Sequence, residues 1–396
     1  MVVGQEQHEA SAPAEAVGAP PAADRSPNAA LWLTAKLGGL EVRAAPYTPP
    51  RADEIVVRNR AVAVNPVDWI TRSIGDLFLP WLTYPTVLGS DVAGEVVAVG
   101  SAVSRFKRGD RVLGHAVGTE KARNTPAEGA FQHHTVLLER MASPIPDWMA
   151  YERAAVLPLG LSTAACGLFQ ADFLALRHPS AGATPTGRTL LVWGGATSVG
   201  SNAIQLAAAA GYDVIATASP KNFDYVRALG ARLAFDYRSP RVVADIVEAC
   251  EGRTIAGALA IGAGSARPCL AVVDRCKGNR FVAIASPAVA FDTAPTGRRR
   301  MKWLIPTLVR VAAGQAALMI RARRRRIGTK FIWGAALMDN EVGRLIYADF
   351  LPAALAERRY VPAPEPMIAG HGLEAIPAAL EVQKSGVSAR KVVVLL

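Results

Sequence analysis

The sequence is poor in cysteine and in charged residues. Four cysteines occur in 396 residues, and no two of them form a C-x-x-C pair. This scarcity excludes a disulfide framework and a cysteine-based structural zinc site, and it favours a reducing, cytoplasmic location. Charged residues make up 19% of the chain, which is low, whereas the 51% of hydrophobic residues suffice for the cores of two domains.

The N-terminus lacks a basic segment followed by an apolar run, so no secretory signal is expected. Residues 1–28 are instead rich in Ala, Pro, Glu and Gly. Because this composition offers little apolar surface to bury, we expect these residues to form a disordered tail.

Aspartate and glutamate are absent between Arg298 and Lys330, a stretch that contains eleven Lys or Arg residues. These eleven residues equal the whole net charge of +11, so the rest of the chain is neutral. The basic character therefore belongs to this stretch, with ten of the eleven residues in one insert, residues 298–328, and does not indicate a nucleic-acid-binding protein.

The insert also contains Met301 to Ile320, which is apolar apart from Lys302, Arg310 and Gln315. Its apolar length of about 18 residues is short of the roughly 20 needed to span a bilayer. We consider three interpretations: an added helical lid or subunit contact, a helix lying on an anionic membrane through residues 298–326, and a polyanion-binding segment.

A glycine-rich stretch organises the second half of the chain. Arg188–Trp193 is an apolar run typical of a buried parallel strand, and G-G-A-T-S-V-G follows it. A helix over 198–210 and a second strand over 213–217 complete a β-turn-α-β unit. Glycines allow a phosphate to approach the backbone, and the helix N-terminus attracts it, so this unit predicts a dinucleotide site.

The residues after the second strand indicate which dinucleotide binds. NAD-binding sites place a carboxylate there to hold the ribose 2′-OH. This chain has Ser219, Lys221 and Asn222, and no carboxylate before Asp224. Hydroxyl, ammonium and amide donors suit a 2′-phosphate, so we expect NADPH rather than NADH.

The order of elements predicts two domains. Short strands fill residues 29 to about 150, and strands alternating with helices follow from Arg188 to Ser286, which indicates an α/β doubly wound parallel sheet. Helical spacing is expected over 152–176, with a break at 158–160, and over 341–358. Strands are expected over 329–336 and over 391–396, the last of them pairing back into the first domain.

Several motifs match a known family in order along the chain. They are NPVDW (65–69), LGSDVAGEVVAVG (88–100), F-x-x-GDRV (106–112) and LPLGLSTA (157–164). The chain resembles the medium-chain dehydrogenase/reductase superfamily, and more closely its zinc-independent quinone oxidoreductase-like and trans-acting enoyl reductase-like branch.

The resemblance implies a GroES-like catalytic domain over 29–160 and 350–396 and a Rossmann domain over 161–349. It also implies a homodimer through the Rossmann domain. Catalytic roles are expected for Asn65, Asp68 and Thr163. The residues implied to bind the cofactor are Val67, Asp68, Trp69, Ile70, Thr163, Gly195, Ala196, Thr197, Ser198, Val199, Gly200, Ser219, Pro220, Lys221, Asn222, Tyr237 and Ile284.

Structural roles compete with some of these assignments. Asn65 and Asp68 are also residues that fix a turn through their side chains. Ser162 or Thr163 would equally serve as a helix N-cap. Both alternatives stay open at the level of the sequence.

The zinc ligands of the alcohol dehydrogenases have no counterparts in this sequence. The corresponding segments are Asn65–Asp68 and Leu88–Asp91, and neither supplies a thiolate or an imidazole. We therefore expect no metal.

Without a Lewis acid, the implied reaction is hydride transfer to an already activated carbon of an enone, an enoyl thioester or a quinone. Ile70 stands where relatives often have Lys or Tyr, so the proton source is open, with water and Tyr84 as candidates. The alternative is a nucleotide-binding, low-turnover interaction or membrane-surface protein of the same fold.

Overall fold

The computed structural model describes residues 27–286 and 300–396. Nearly all of the predicted disordered tail, and Arg298 and Arg299 of the insert, lie outside the described residues. Two large sheets and a small one account for the strands, and the predicted α/β fold class is confirmed.

The first part of the chain is built from strands. A small antiparallel sheet has the order β2-β1-β4, and a seven-stranded sheet has the order β15-β16-β3-β5-β6-β8, with β7 paired to β3. The strands are β1 (Ala29–Leu33), β2 (Leu40–Ala44), β3 (Glu54–Ala63), β4 (Thr86–Val87), β5 (Asp91–Val99), β6 (Arg111–His115), β7 (His134–Leu138), β8 (Ala142–Pro144), β15 (Glu365–His371) and β16 (Arg390–Leu395).

The last strand of the chain closes this sheet. β16 pairs antiparallel with β3, with Val393 opposite Ala63. The expected return of the C-terminus to the first part of the chain is therefore confirmed. Because Val392, Val393 and Val394 are fully buried, the strand is held by its apolar residues as well as by its ladder.

The second large sheet has six parallel strands in the order β11-β10-β9-β12-β13-β14. In chain order these are the third, second, first, fourth, fifth and sixth strands, which is the doubly wound dinucleotide-binding arrangement. The strands are β9 (Arg188–Trp193), β10 (Asp213–Ala218), β11 (Leu233–Asp236), β12 (Thr254–Ala260), β13 (Phe281–Ile284) and β14 (Gly328–Phe331).

Eleven α-helices are found in the described part of the chain. They are α1 (Pro66–Ile74), α2 (Tyr151–Ala154), α3 (Pro158–Phe169), α4 (Ser198–Ala209), α5 (Phe223–Ala228), α6 (Val242–Ala249), α7 (Ala266–Arg275), α8 (Arg300–Arg324), α9 (Glu341–Arg344), α10 (Leu351–Ala356) and α11 (Ile376–Ser385).

Some predicted boundaries were wrong. The helical segment expected over 152–176 is interrupted at 155–157, between α2 and α3, and not at 158–160. It ends at Phe169, because Gln170 adopts an extended backbone. The strand expected over 329–336 ends at Phe331 and is followed by a 3₁₀ helix over Gly334–Asp339. The helix expected over 341–358 is confirmed to within two residues, since helical structure runs from Glu341 to Ala356. It contains a π-helical stretch, Leu345–Phe350, between α9 and α10.

Helix α3 joins the two parts of the molecule. Eleven of its twelve residues are buried, as expected for a helix that is apolar on every side. Its residues share one core with Ala61 and Val393 of the first sheet and with Val192 and Leu206 of the second unit. The cleft described next runs along this junction.

Candidate active site

A cleft of about 780 Å³ lies between the two sheets. It begins beyond the carboxyl ends of β9 and β10 and of β12, where the strand order reverses, which is the usual ligand position in such sheets. Its volume is within the range of small-molecule sites.

The glycine turn after β9 is shaped to hold an anion. Gly194 has φ +87°, and a Cβ on Gly200 would lie 2.2 Å from the carbonyl oxygen of Gly194. The side chain of Thr197 caps α4 by accepting the N–H of Gly200 at 3.0 Å. Ser198 and Val199 line the cleft, and their N–H groups precede the first intrahelical bond, so this turn fits a diphosphate.

The end of the cleft next to β10 is polar and cationic. Ser219, Lys221 and Asn222 line it, as does Tyr237. Arg238, which the sequence analysis did not single out, lines it too, and its guanidinium lies 5.1 Å from the ring centroid of Tyr237. We call these five residues the ribose-end cluster.

The nearest carboxylates do not enter this cluster. Asp224 is fully exposed and pairs with Arg227 at 3.3 Å. Asp236 accepts the backbone N–H of Arg238 at 3.0 Å and does not line the cleft. The cluster therefore presents donors and positive charge to whatever binds there.

The start of α1 contributes its N-cap residue Asn65 and the helical residues Val67 and Ile70 to the cleft. Neither Asp68 nor Trp69 lines it. Asp68 Oδ2 accepts the backbone N–H of Asn65 at 2.8 Å, so its carboxylate turns back into the helix start. The indole N–H of Trp69 donates to Gln383 of α11. For Asp68 the structural alternative, a side chain that fixes a turn, is confirmed.

A buried lysine from the C-terminal strand completes this part of the site. Lys391 Nζ lies 2.8 Å from Asp91 Oδ2 and also donates to Asn65 Oδ1. Asn65 Nδ2 donates to the same carboxylate at 2.8 Å, and the backbone N–H of Leu159 donates to Asp91 Oδ1 at 2.6 Å. Asp91 is fully buried, and its charge is balanced by the ammonium group.

Burial raises the pKa of Asp68 to about 7, although the N–H of Asn65 opposes this shift. In the unfolded chain the carboxyl ionises near pH 4. Between these values unfolding releases a proton, so the free energy of unfolding should fall as the pH rises from about 4 to about 7.

Asp68→Asn should make this decline shallower, by up to about 1.4 kcal/mol per pH unit, because one linked proton is removed. The amide oxygen of the substituted side chain can still accept the Asn65 N–H, so the helix start is retained. Urea unfolding of both proteins at several pH values measures the slopes, and equal slopes would contradict the assignment.

A chain of hydrogen bonds leads from the cleft into α3. His115 Nδ1 lies 2.9 Å from Ser162 Oγ, which lies 2.8 Å from the hydroxyl of Tyr347. The Tyr347 hydroxyl donates to the carbonyl oxygen of Pro158 at 3.0 Å. Burial lowers the pKa of His115 to about 4, so the imidazole that lines the cleft is neutral at pH 7.

Glu120 is a second titratable group on the cleft wall. It lies opposite Trp333, whose indole N–H donates to Glu120 Oε2 at 2.7 Å. Burial raises the pKa of Glu120 to about 7, and the Trp333 hydrogen bond opposes the shift. A carboxyl group in this state is partly protonated at neutral pH and can donate a proton.

Thr163 lines the cleft from inside α3. Its hydroxyl donates to the carbonyl oxygen of Leu159 at 2.8 Å. The helix begins at Pro158, so neither Ser162 nor Thr163 is its N-cap, and that alternative is wrong.

Not every predicted cofactor residue lines the cleft. Ala196, Thr197, Ser198 and Val199 do. The predicted residues that do not are Asp68, Trp69, Gly195, Gly200, Pro220 and Ile284.

Their positions explain why. Gly195 and Gly200 form the floor of the turn, and Pro220 is exposed beside it. Ile284 packs in the core under the sheet, and the next two residues, Ala285 and Ser286, reach the cleft instead. Tyr84, a candidate proton source, does not line the cleft either.

The sequence analysis missed Lys391, Glu120 and Arg238. Each lies outside the motifs that carried the resemblance, and no local spacing marks them. His115, which also lines the cleft, was not singled out either. Within the described residues no group of three or more His, Cys, Asp or Glu side chains could hold a metal ion.

Comparisons with known proteins agree with this architecture. The Alcohol dehydrogenase GroES-like domain family matches residues 51–147. The dehydrogenase pigH of Monascus ruber is 51% identical over 371 residues, covering 93% of this chain and 99% of the relative. The trans-enoyl reductase himH of Aspergillus japonicus is 34% identical over 373 residues, covering 93% and 97%.

Among solved structures, the quinone oxidoreductase of Coxiella burnetii superposes with a TM-score of 0.64. It is 21% identical, and the match covers 93% of this chain and 99% of that one. At this identity the likeness concerns the fold.

Proposed function

The chain belongs to the medium-chain dehydrogenase/reductase superfamily of oxidoreductases, and from this premise we propose that it is an NADPH-dependent reductase. Its substrate is an activated double bond, as in an enone or enoyl thioester, or a quinone. The observation that carries the proposal is one cleft that combines the glycine turn, the ribose-end cluster and an apolar inner end.

NADPH fits the residues present better than NADH does. The turn and the first N–H groups of α4 suit the diphosphate, because a Cβ on Gly200 would fill the space between the turn and the helix. Lys221 and Arg238 suit a 2′-phosphate, and no carboxylate lines that end to hold a 2′-OH. When bound, NADPH supplies the hydride.

The inner end of the cleft suits a largely apolar substrate with one polar group. Ile70, Phe78 and Trp333 supply apolar surface there, and the related trans-enoyl reductase supports an enoyl substrate. Lys391 and the neutral His115 are positioned on the same cleft to stabilise negative charge on a carbonyl oxygen.

We assign the proton-donor role to Glu120. It is a lining carboxyl group that holds its proton near neutral pH, whereas Ile70 has none to give. Trp333 fixes one carboxyl oxygen, so the other is left for the proton that the product needs.

The residues at the position of the zinc ligands support zinc-independent chemistry. Asn65 and Ser90 line the cleft where zinc-using relatives have ligands, and Asp91 beside them is already paired with Lys391. A divalent cation there would meet an ammonium group instead of thiolates.

The relatives are fungal dehydrogenases and trans-enoyl reductases, which is consistent with a cytoplasmic enzyme. A homodimer through the nucleotide domain stays a prediction, as do the domain limits at 160, 161, 349 and 350. The alternative, a low-turnover nucleotide-binding protein, rests on Ile70.

The test is NADPH oxidation, followed at 340 nm, against enones, enoyl thioesters and quinones. We expect turnover with at least one of these classes, and a rate that falls as the pH rises above about 7, because Glu120 then loses its proton. Tight NADPH binding without turnover on any class would favour the low-turnover alternative.

A further inference from the structure

Helix α8 touches the rest of the protein along one narrow stripe. From Trp303 to Arg324, the part of the helix whose burial is described, the buried residues are Leu304, Thr307 and Ala322. Leu304 belongs to the core of the first domain, whereas Ala322 belongs to the core under the six-stranded sheet. The helix is therefore anchored near both ends, to two different cores.

The opposite face of α8 is apolar and open to solvent. Ile305 is 59% exposed and Val309 is 62% exposed, and Met319 and Ile320 are about half exposed. The residues between them on this face are small, and Ala312, Ala313 and Ala316 are exposed as well. The outer face, residues 305–320, is about 24 Å long at 1.5 Å per residue.

This arrangement is the reverse of a normal surface helix, which turns its polar side outward. Scattered exposed apolar residues are ordinary, but a continuous apolar face of this length marks an interaction surface. Trp303–Arg324 is also long and apolar enough, by length and composition, to cross a membrane. The sequence analysis expected an apolar segment too short to span a bilayer, and the length of this helix corrects that expectation.

Positive charge flanks the outer face at both ends. Arg321, Arg323, Arg324 and Arg326 are exposed at the C-terminal end, and Arg298–Arg300 with Lys302 precede the face in the sequence. Arg325 is paired with Asp274 at 3.1 Å. No acidic residue occurs between residues 298 and 330 to balance these charges.

The charge pattern argues against a second copy of this chain as the occupant. In a two-fold pair of α8 helices, a basic end would face a basic end whether the helices ran parallel or antiparallel. The outer face requires an apolar partner surface, and the basic ends require anionic groups at the border of that surface. An anionic lipid bilayer has this chemistry.

We propose that α8 lies in the plane of an anionic membrane surface, with the outer face among the acyl chains and the arginines on lipid phosphates. The helix does not span the bilayer in this arrangement, because Leu304 and Ala322 hold it against the protein. The inference is independent of the substrate and of the cofactor.

Sedimentation with vesicles tests this proposal on the full chain. We expect binding to phosphatidylcholine vesicles that contain phosphatidylserine, weak binding to phosphatidylcholine alone, and release by salt. Val309→Glu/Ile320→Glu should reduce the bound fraction at least about tenfold, because two charges would enter the acyl region. Arg323→Gln/Arg324→Gln should weaken binding roughly tenfold and reduce the salt dependence.

Leu77→Glu/Val361→Glu is the matched control, since both side chains are exposed apolar groups that do not belong to α8. It should bind as the parent does, and all variants should keep the parent's circular dichroism spectrum. Equal sedimentation of the parent and the Val309/Ile320 variant would overturn the proposal. So would a parent dimer that ignores vesicles and dissociates in that variant, or a parent that binds an acidic protein but no vesicle.

Discussion

Replacing both Lys221 and Arg238 by alanine should weaken NADPH binding about 100-fold, because each contributes about 1.5 kcal/mol through a charge-assisted bond. We take the lower end of the usual range since both side chains are exposed and solvent screens them. NADH lacks the 2′-phosphate, so its affinity should change little.

Isothermal titration calorimetry with the two dinucleotides measures this difference. The matched control is Arg275→Ala/Lys277→Ala, which removes the same charge from exposed positions outside the cleft. An equal loss of NADPH affinity in the control would show that net charge, and not the ribose-end cluster, is responsible. An equal loss for NADPH and NADH would contradict selection of the 2′-phosphate.

Lys391→Met should lower the free energy of unfolding by about 3 kcal/mol. The substitution leaves Asp91 buried without its ammonium partner, which typically costs about 3–5 kcal/mol. The lower value applies because Asn65 and the Leu159 N–H still donate to the carboxylate. Urea unfolding measures the change.

A double-mutant cycle identifies the cause. Asp91→Asn/Lys391→Met removes both charges and should be clearly more stable than the sum of the two single losses predicts. Arg153→Met is the control, because Arg153 and Glu365 form an exposed pair at 3.0 Å that should contribute less than about 1 kcal/mol. Additive losses at residues 91 and 391 would show that the pair is not coupled.

The sequence allowed the nucleotide domain to be predicted closely. The strand over Arg188–Trp193 and the start of the next helix at Ser198 are found where they were expected. These features could be predicted because a buried strand, a glycine turn and a helix N-terminus are each determined by residues that are neighbours in the sequence.

The inner end of the cleft could not be predicted in the same way. Lys391 follows Asn65 by 326 positions, and only the pairing of β16 with β3 brings them together. A lysine near the end of a chain is ordinarily a solvated residue. Its burial depends on strand register, which no local pattern states.

Hydrogen bonds in the structure distinguish between the alternative roles that the sequence left open for Asp68 and Thr163. Asp68 carries a helix-start role because its carboxylate reaches the Asn65 N–H, and Thr163 bonds within α3 instead of capping it. Residues 300–324 of the insert form a helix, but its apolar face points away from the protein, which composition alone does not reveal.

The C-terminal strand has a consequence for synthesis of the protein on the ribosome. The seven-stranded sheet takes most of its strands from residues 54–144 but its closing pair from residues 365–395. The sheet of the first domain therefore stays incomplete until the whole nucleotide domain has emerged from the ribosome and folded. A translation product that stops before Lys391 would lack this residue and the strand that carries it, so it could not assemble the cleft.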